Sequence, residues 1–235
     1  MLKTIAIINK STVVSGADAS KMASACNTQI LRDVAPAWGR LPIPVNYYAN
    51  ENQVPVGSAI IYILNYSDVN GALGYHTETM SGRVYGKVFA KELTDYGLPV
   101  LYDSKDRNGL TVSTVLSHEV IELFNNPYVN LWSDGTPIAQ GSEYAFEACD
   151  AVEANTYQIS VTSKPTAQVS VSNFLYPEWF DTATARGKKC DHLGLLTAPF
   201  TMTQYGYMIV RQGPGTETAI YGAKYPQILK DLKNK

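Results

Sequence analysis

The chain has 235 residues, of which 45% are hydrophobic and 17% charged, a balance that fits a folded globular protein and excludes a disordered tail. Its formal net charge of −2 contains no block of like charges, which argues against a dedicated binder of nucleic acid or of an anionic membrane. No apolar run approaches membrane-spanning length, and Cys26, Cys149 and Cys190 are odd in number and too widely spaced for a disulfide framework.

Met1-Leu2-Lys3 runs straight into a strand-like stretch without a signal-peptide core, so a cytoplasmic product is expected. Residues 4–9 read as a buried strand. Residues 18–34 read as a helix, with Met22, Cys26, Ile30 and Leu31 as its apolar stripe and the Pro36 region ending it. Residues 43–48 are strand-like. A turn at Pro55 and Gly57 leads into 58–64, SAIIYIL, the strongest strand signal in the chain. Residues 70–75 read as a loop, 82–90 as an edge or half-buried strand, and 100–102 as a further short strand. A helix is expected over 111–127, with Val112, Val115, Leu116, Leu123 and Phe124 near helical spacing. Thr111 or Ser113 caps its start, Gly109 frees the approach, and Pro127 stops it.

The second half is less regular. Residues 128–140 read as a loop, and 142–152 as acids among apolar residues. Residues 157–161 and 168–171 read as a hairpin closed near Lys164-Pro165. The aromatic stretch NFLYPEWF, 173–180, is expected to pack. Residues 204–211 read as a strand, and 228–235 as a terminal turn or helix. Nothing in the composition divides the chain, so 1–235 reads as a single domain: 1–127 supplies the sheet and site helix, 128–235 an irregular second half.

Inside the 111–127 helix lies His118-Glu119-Val120-Ile121-Glu122. Residues four apart sit one turn apart on one face, so His118 and Glu122 can reach a single ion. Glu119 projects about 100° round from His118.

This pattern resembles the HExxH helix of zinc metallopeptidases, with a glutamate where the second histidine stands. The resemblance implies His118 and Glu122 as metal ligands and Glu119 as general base. The order of strand, helix, several strands and site helix is similar to the N-terminal half of a zincin catalytic domain. The expected fold is therefore α+β and zincin-like: a twisted mixed sheet over a metal-site helix, then a β-containing second half. A further ligand is expected among Glu143, Glu147, Asp150 and Glu153. Glu143 and Glu147, or Glu147 and Asp150, can share a helical face, and an acid that does not ligate can hydrogen-bond His118. The segments SHEVIE, EACDAVE and SNFLYPEWF, over about residues 75–180, also look like a set of phage and bacterial proteins with a zincin-like core and no assigned activity. That resemblance favours Glu147 and Asp150 as ligands, and Glu143 reads better as a helix N-terminal acid.

The resemblance implies a divalent metal, zinc first, and a peptidase or amidase acting on a peptide or protein. One histidine with two carboxylates makes a shell of charge −2, which acidifies water less than a shell of two histidines and one glutamate. Oxygen ligands also admit manganese, iron or calcium. The alternative is therefore a phage virion structural protein with a structural or vestigial ion, partnered by other virion proteins. His76 reads as a surface-loop histidine rather than part of the cleft, and Cys190-Asp191-His192 as a loop.

Overall fold

Ile5–Asn9 (β1) reads IAIIN, and four of these residues are buried, as in a strand covered on both faces. β2 (Val45–Tyr48) and β3 (Ala59–Leu64) flank it in parallel, with Ile7 opposite both Tyr47 and Ile61. β5 (Val84–Phe89) pairs parallel with β3, and β4 (Gly74–Glu78) closes that edge antiparallel to β5. The sheet order is β2-β1-β3-β5-β4. The computed structural model describes residues 2–102, 109–161, 168–185, 187–213 and 215–233.

Gly16–Gln29 (α1) starts at Ser15, whose side chain accepts the Asp18 N–H. It runs on as a wider turn over Ile30–Val34 and a last short turn, Ala35–Ala37 (α2), where Pro36 takes an early helical position. Ala90–Thr94 (α3) follows β5, and Val112–Asn125 (α4) is the site helix. Ile5, Ile7, Ile61 and Ile63 on one sheet face share a core with Met22 and Cys26 of α1 and Leu116 and Ile121 of α4. Each such buried side chain contributes roughly 1.5–3 kcal/mol. Ala6, Ile8 and Ile60 form a smaller cluster on the opposite face, against Tyr48, Val54 and Tyr62.

All fourteen residues of α4 are buried. Two of its buried serines are satisfied by other segments of the chain. Ser113 Oγ lies 2.8 Å from the Leu101 carbonyl and 2.7 Å from that of Ser170, and Ser117 Oγ accepts the Ser172 N–H at 2.6 Å. Ser170 and Ser172 belong to β9 (Gln168–Ser172), which pairs antiparallel with β8 (Thr156–Ser160). The expected Lys164-Pro165 turn of this hairpin lies outside the described residues. β6 (Trp132–Asp134), β7 (Ser142–Ala145), β10 (Tyr207–Gln212) and β11 (Thr218–Tyr221) form a second sheet in the order β11-β10-β7-β6. Gln227–Lys233 (α5) ends the described chain. Tyr144, Trp179, Phe180 and Phe200 build a second core, and Trp38 packs against both cores.

The chain is thus α+β with a mixed sheet. Four local expectations are corrected. The loop expected over 128–140 contains β6, which pairs with β7. Residues 100–102 form no strand; Leu101 instead accepts the Ser170 N–H at 2.7 Å. The loop expected over 70–75 ends where β4 begins at Gly74. The acids from Glu143 to Glu153 share no helix. Ser142 and Tyr144 are buried in β7, whose pairing with β6 and β10 holds that stretch extended. Glu143 accordingly pairs with Arg211 at 2.8 Å instead of starting a helix. No helix among the described residues is long and apolar enough to cross a membrane.

Candidate metal centre

Both ends of α4 are locked to the site. At its start Gly109 has φ +64°, and a Cβ there would stand 2.0 Å from the Ala154 carbonyl oxygen. The chain before α4 therefore touches the segment just after Asp150–Val152. Thr111 and Thr114 cap the helix reciprocally. At the other end Arg40 Nη1 donates to the carbonyls of Phe124, at 3.2 Å, and Asn125, at 3.0 Å. This is the cation placement that a helix C-terminus favours. The next residue, Asn126, accepts from His76 Nε2 at 3.0 Å through its carbonyl and donates through Nδ2 to Glu147 Oε1 at 3.4 Å.

His118, Glu119 and Glu122 are all buried on this helix. His118 Nε2 lies 3.1 Å from Glu122 Oε2 and 3.2 Å from Asp150 Oδ1, and His118 Nδ1 lies 3.0 Å from Glu153 Oε2. Carboxylate oxygens thus crowd both ring nitrogens. A neutral imidazole carries a single N–H, so this ring is satisfied as an imidazolium or with an ion at one nitrogen. Burial opposes charge on His118, but Glu122 and Glu153 outweigh it and hold its pKa well above the usual value. Asp150 Oδ1 is buried without a hydrogen-bond partner despite its nearness to Nε2.

His76 stands on β4, buried beside the same helix and not on a surface loop; the register of β4 against β5 turns it inward. Its Nδ1 lies 3.4 Å from Glu119 Oε2 and 4.0 Å from Glu122 Oε2. Burial disfavours its charged form, yet the hydrogen bond and charge of Glu119, with Glu122, raise its pKa. Glu122 is pushed up to about 7 by burial, then relieved by His118 and pushed further by Asp150 and Glu119. Burial, with the charges of Glu122, Asp150 and Glu119, holds Glu147 well above the usual carboxylate range.

Among the described residues three overlapping groups bring one ligand atom per residue within 4.8 Å of one another: His118–Glu122–Cys149, His118–Asp150–Glu153 and His76–Glu119–Glu122. Each can hold a metal ion. The expected residues His118, Glu122 and Asp150 are therefore brought together around one imidazole, and Glu119 stands next to them. Glu147 joins none of the three groups; its Oε2 is buried without a hydrogen-bond partner. Glu153 is one of the four candidate acids of the sequence but not a favoured one, and His76 and Cys149 are participants that the sequence reading does not select. The Asp150–Glu153 spacing in EACDAVE carried a usable signal for Glu153. Nothing local in GYHTE marks His76 as inward. The Cys149 N–H donates to Glu122 Oε1 at 3.0 Å, and burial above all pushes its thiol well above the usual range. Cys190-Asp191-His192 stays away from the centre: Asp191 accepts from Asn173 Nδ2 at 2.7 Å, and His192 stacks on Phe174.

A cleft of about 270 Å³ opens onto the centre, lined in part by Gly74, His118, Glu119, Glu153, Tyr207 and Tyr225. Gly74 lets β4 approach α4, because a Cβ there would come within 2.7 Å of Glu119 Oε1. Burial, reinforced by nearby carboxylates, pushes the Tyr207 and Tyr225 hydroxyls above their usual range, so both keep their protons at neutral pH. No protein family, curated protein or solved structure matches the chain.

Proposed function

We propose that the chain is a metal-binding, zincin-like protein and that, with a divalent ion held at His118, it acts as a metal-dependent peptidase or amidase. The observation that carries this reading is the set of carboxylate oxygens 3.0–3.2 Å from the two nitrogens of His118. Ligand atoms about 2.0–2.1 Å from a tetrahedral ion stand roughly 3.3 Å apart, which is close to that spacing. The unpartnered Asp150 Oδ1 then gains a partner. The placement of α4 beneath a mixed sheet, with β4 as an antiparallel edge beside it, supports the zincin likeness.

His118 would hold the ion with Asp150 and Glu153, or with Glu122 and Cys149. Imidazole favours zinc, and the oxygens extend the choice to manganese, iron or calcium. The bound ion supplies Lewis acidity and makes water more acidic. Glu119 lines the cleft, with its Oε1 packed beside Gly74. There it takes a proton from the attacking water and passes it to the leaving amine. Tyr207 and Tyr225 line the same cleft, and both keep their phenolic protons at neutral pH.

The charge of the shell supports a second reading. Two carboxylates neutralise a divalent ion and blunt its effect on water. A phage virion structural protein that keeps a zincin-like fold around a structural ion would have such a shell and would be found in a particle with other virion proteins. Elemental analysis beside a peptidase and amidase screen separates the readings. The first expects metal in the protein and turnover that Glu119→Gln lowers roughly 10²–10⁴-fold, while the first equivalent of zinc binds as before. Metal without turnover, together with incorporation into a particle, would favour the structural role. No metal at all would overturn both.

A further inference from the structure

Five carboxylates, those of Glu119, Glu122, Glu147, Asp150 and Glu153, meet two imidazoles at this centre. Among the described residues no lysine or arginine forms an ion pair with any of the five. Unpaired buried charge is expensive, so the charge of these carboxylates is offset inside the centre itself, by protons or by bound cations.

The geometry also divides in two. Among the described residues no group of ligand atoms within 4.8 Å of one another contains both imidazoles. His118 belongs with Asp150 and Glu153, or with Glu122 and Cys149; His76 belongs with Glu119 and Glu122. The tautomer of His76 is set by its surroundings. The Asn126 carbonyl, 3.0 Å from Nε2, only accepts, so Nε2 carries the hydrogen. Nδ1 then faces Glu119 Oε2 and Glu122 Oε2, and as an imidazolium it donates to Glu119. A bound cation would take the place of that proton, with the neutral ring offering its Nδ1 lone pair beside the two carboxylates. The bond from Nε2 to a backbone carbonyl is also the outer contact that orients metal-bound histidines.

We propose a second divalent-cation site at His76 Nδ1, Glu119 Oε2 and Glu122 Oε2, which shares Glu122 with the ion at His118. Glu119 then uses its two oxygens separately, Oε2 toward the second ion and Oε1 toward Gly74. The proposal rests on the His118 site only through the shared Glu122, and it requires no hydrolytic activity. Two ions bridged by one carboxylate stand roughly 3.5–4 Å apart.

The test is metal stoichiometry on the full chain. The protein is stripped with chelator, dialysed against zinc or manganese, and analysed for metal per chain. Two ions are expected in the parent, and one in His76→Ala and in His76→Gln. The glutamine variant keeps a side-chain N–H for the Asn126 carbonyl and so guards against a folding defect, with circular dichroism as the check. His118→Ala is expected to retain the ion at His76. Manganese-loaded parent protein should show an exchange-coupled paramagnetic resonance spectrum, which either His76 variant abolishes. Saturation at one ion that His118→Ala removes and His76→Ala leaves would overturn the second site while the first stands. Two ions untouched by both His76 variants would also overturn it, and no bound ion would overturn both.

Discussion

His118 Nδ1 and Glu153 Oε2 stand 3.0 Å apart, joining the middle of α4 to the loop that follows Asp150–Val152. The same loop packs its Ala154 carbonyl against Gly109, just before the helix. The position of the imidazole therefore depends on two segments some thirty-five residues apart in sequence. Whether Glu153 touches the ion or only orients the ring, removing its charge weakens the site. Glu153→Gln should lower zinc affinity by about 10–100-fold with unchanged circular dichroism, measured against a competing chelator. Unaltered affinity would remove Glu153 from the centre.

Metal removal should destabilise the fold, because the centre joins α4, β4 and the segment 147–153. Binding to the native state alone adds about 2.7 kcal/mol at a ligand concentration a hundredfold above Kd. Calorimetric melting of stripped and zinc-loaded protein should therefore show a rise of several degrees on loading, and the rise should shrink in His118→Ala, which keeps only the ion at His76. An equal shift in that variant would place the stabilising ion elsewhere.

Much of the first sheet was legible because its signals are local. SAIIYIL is β-branched and bounded by turn residues, and it forms β3 almost to its expected ends. The 111–127 helix has a cap, a periodic pattern and a proline stop, and α4 occupies 112–125. His118 and Glu122 could be paired from the period alone. His76 could not, because its nearness to Glu119 is made by chain reversals that carry no local signal; Glu153 stood among the four candidate acids, but only the fold brings it, and not Glu147, to His118. The 142–153 stretch misled for a related reason. Its acids at spacings of three and four imitate a helical face, while the pairing partners that make Ser142–Ala145 a strand lie as far away as Val210–Gln212. Likewise β11 pairs with β10, but all four of its residues are exposed, which leaves it little hydrophobic pattern to read.

Two glycines separate backbone strain from damage to the centre. At Gly109 an alanine must hold φ +64° and also place Cβ 2.0 Å from the Ala154 oxygen. The left-handed conformation and the clash together should cost roughly 3–5 kcal/mol, read as a lower urea midpoint. Zinc affinity should fall with it, since the Ala154 segment carries Glu153. Gly141 has φ +72° with open space around the added Cβ. Gly141→Ala should cost only roughly 1–2 kcal/mol and leave zinc binding unchanged. Equal effects of the two substitutions on zinc would sever the proposed link between the Gly109–Ala154 contact and the site.

Glu122 gives the sharpest test of which oxygens meet the ion. Its Oε2 lies 3.1 Å from His118 Nε2, while its Oε1 accepts the buried Cys149 N–H at 3.0 Å. Glu122→Gln keeps an acceptor for that N–H and removes one negative charge. It should weaken every divalent ion without a strong change in preference among them. Glu122→His removes the same charge but adds a second imidazole, restoring the HExxH pattern. Imidazole suits zinc, and oxygen suits manganese and calcium, so the histidine variant should select zinc more sharply than parent or glutamine variant. It also leaves the Cys149 N–H without its acceptor, at a cost of roughly 1–3 kcal/mol. The histidine side chain is shorter than an extended glutamate as well, so absolute affinity can fall even where ligation succeeds. The measurement is therefore a competition among zinc, manganese and calcium for the first equivalent bound. A zinc preference identical in all three proteins would show that Glu122 is not a ligand and would leave His118 with Asp150 and Glu153 as the only donor set for the first ion.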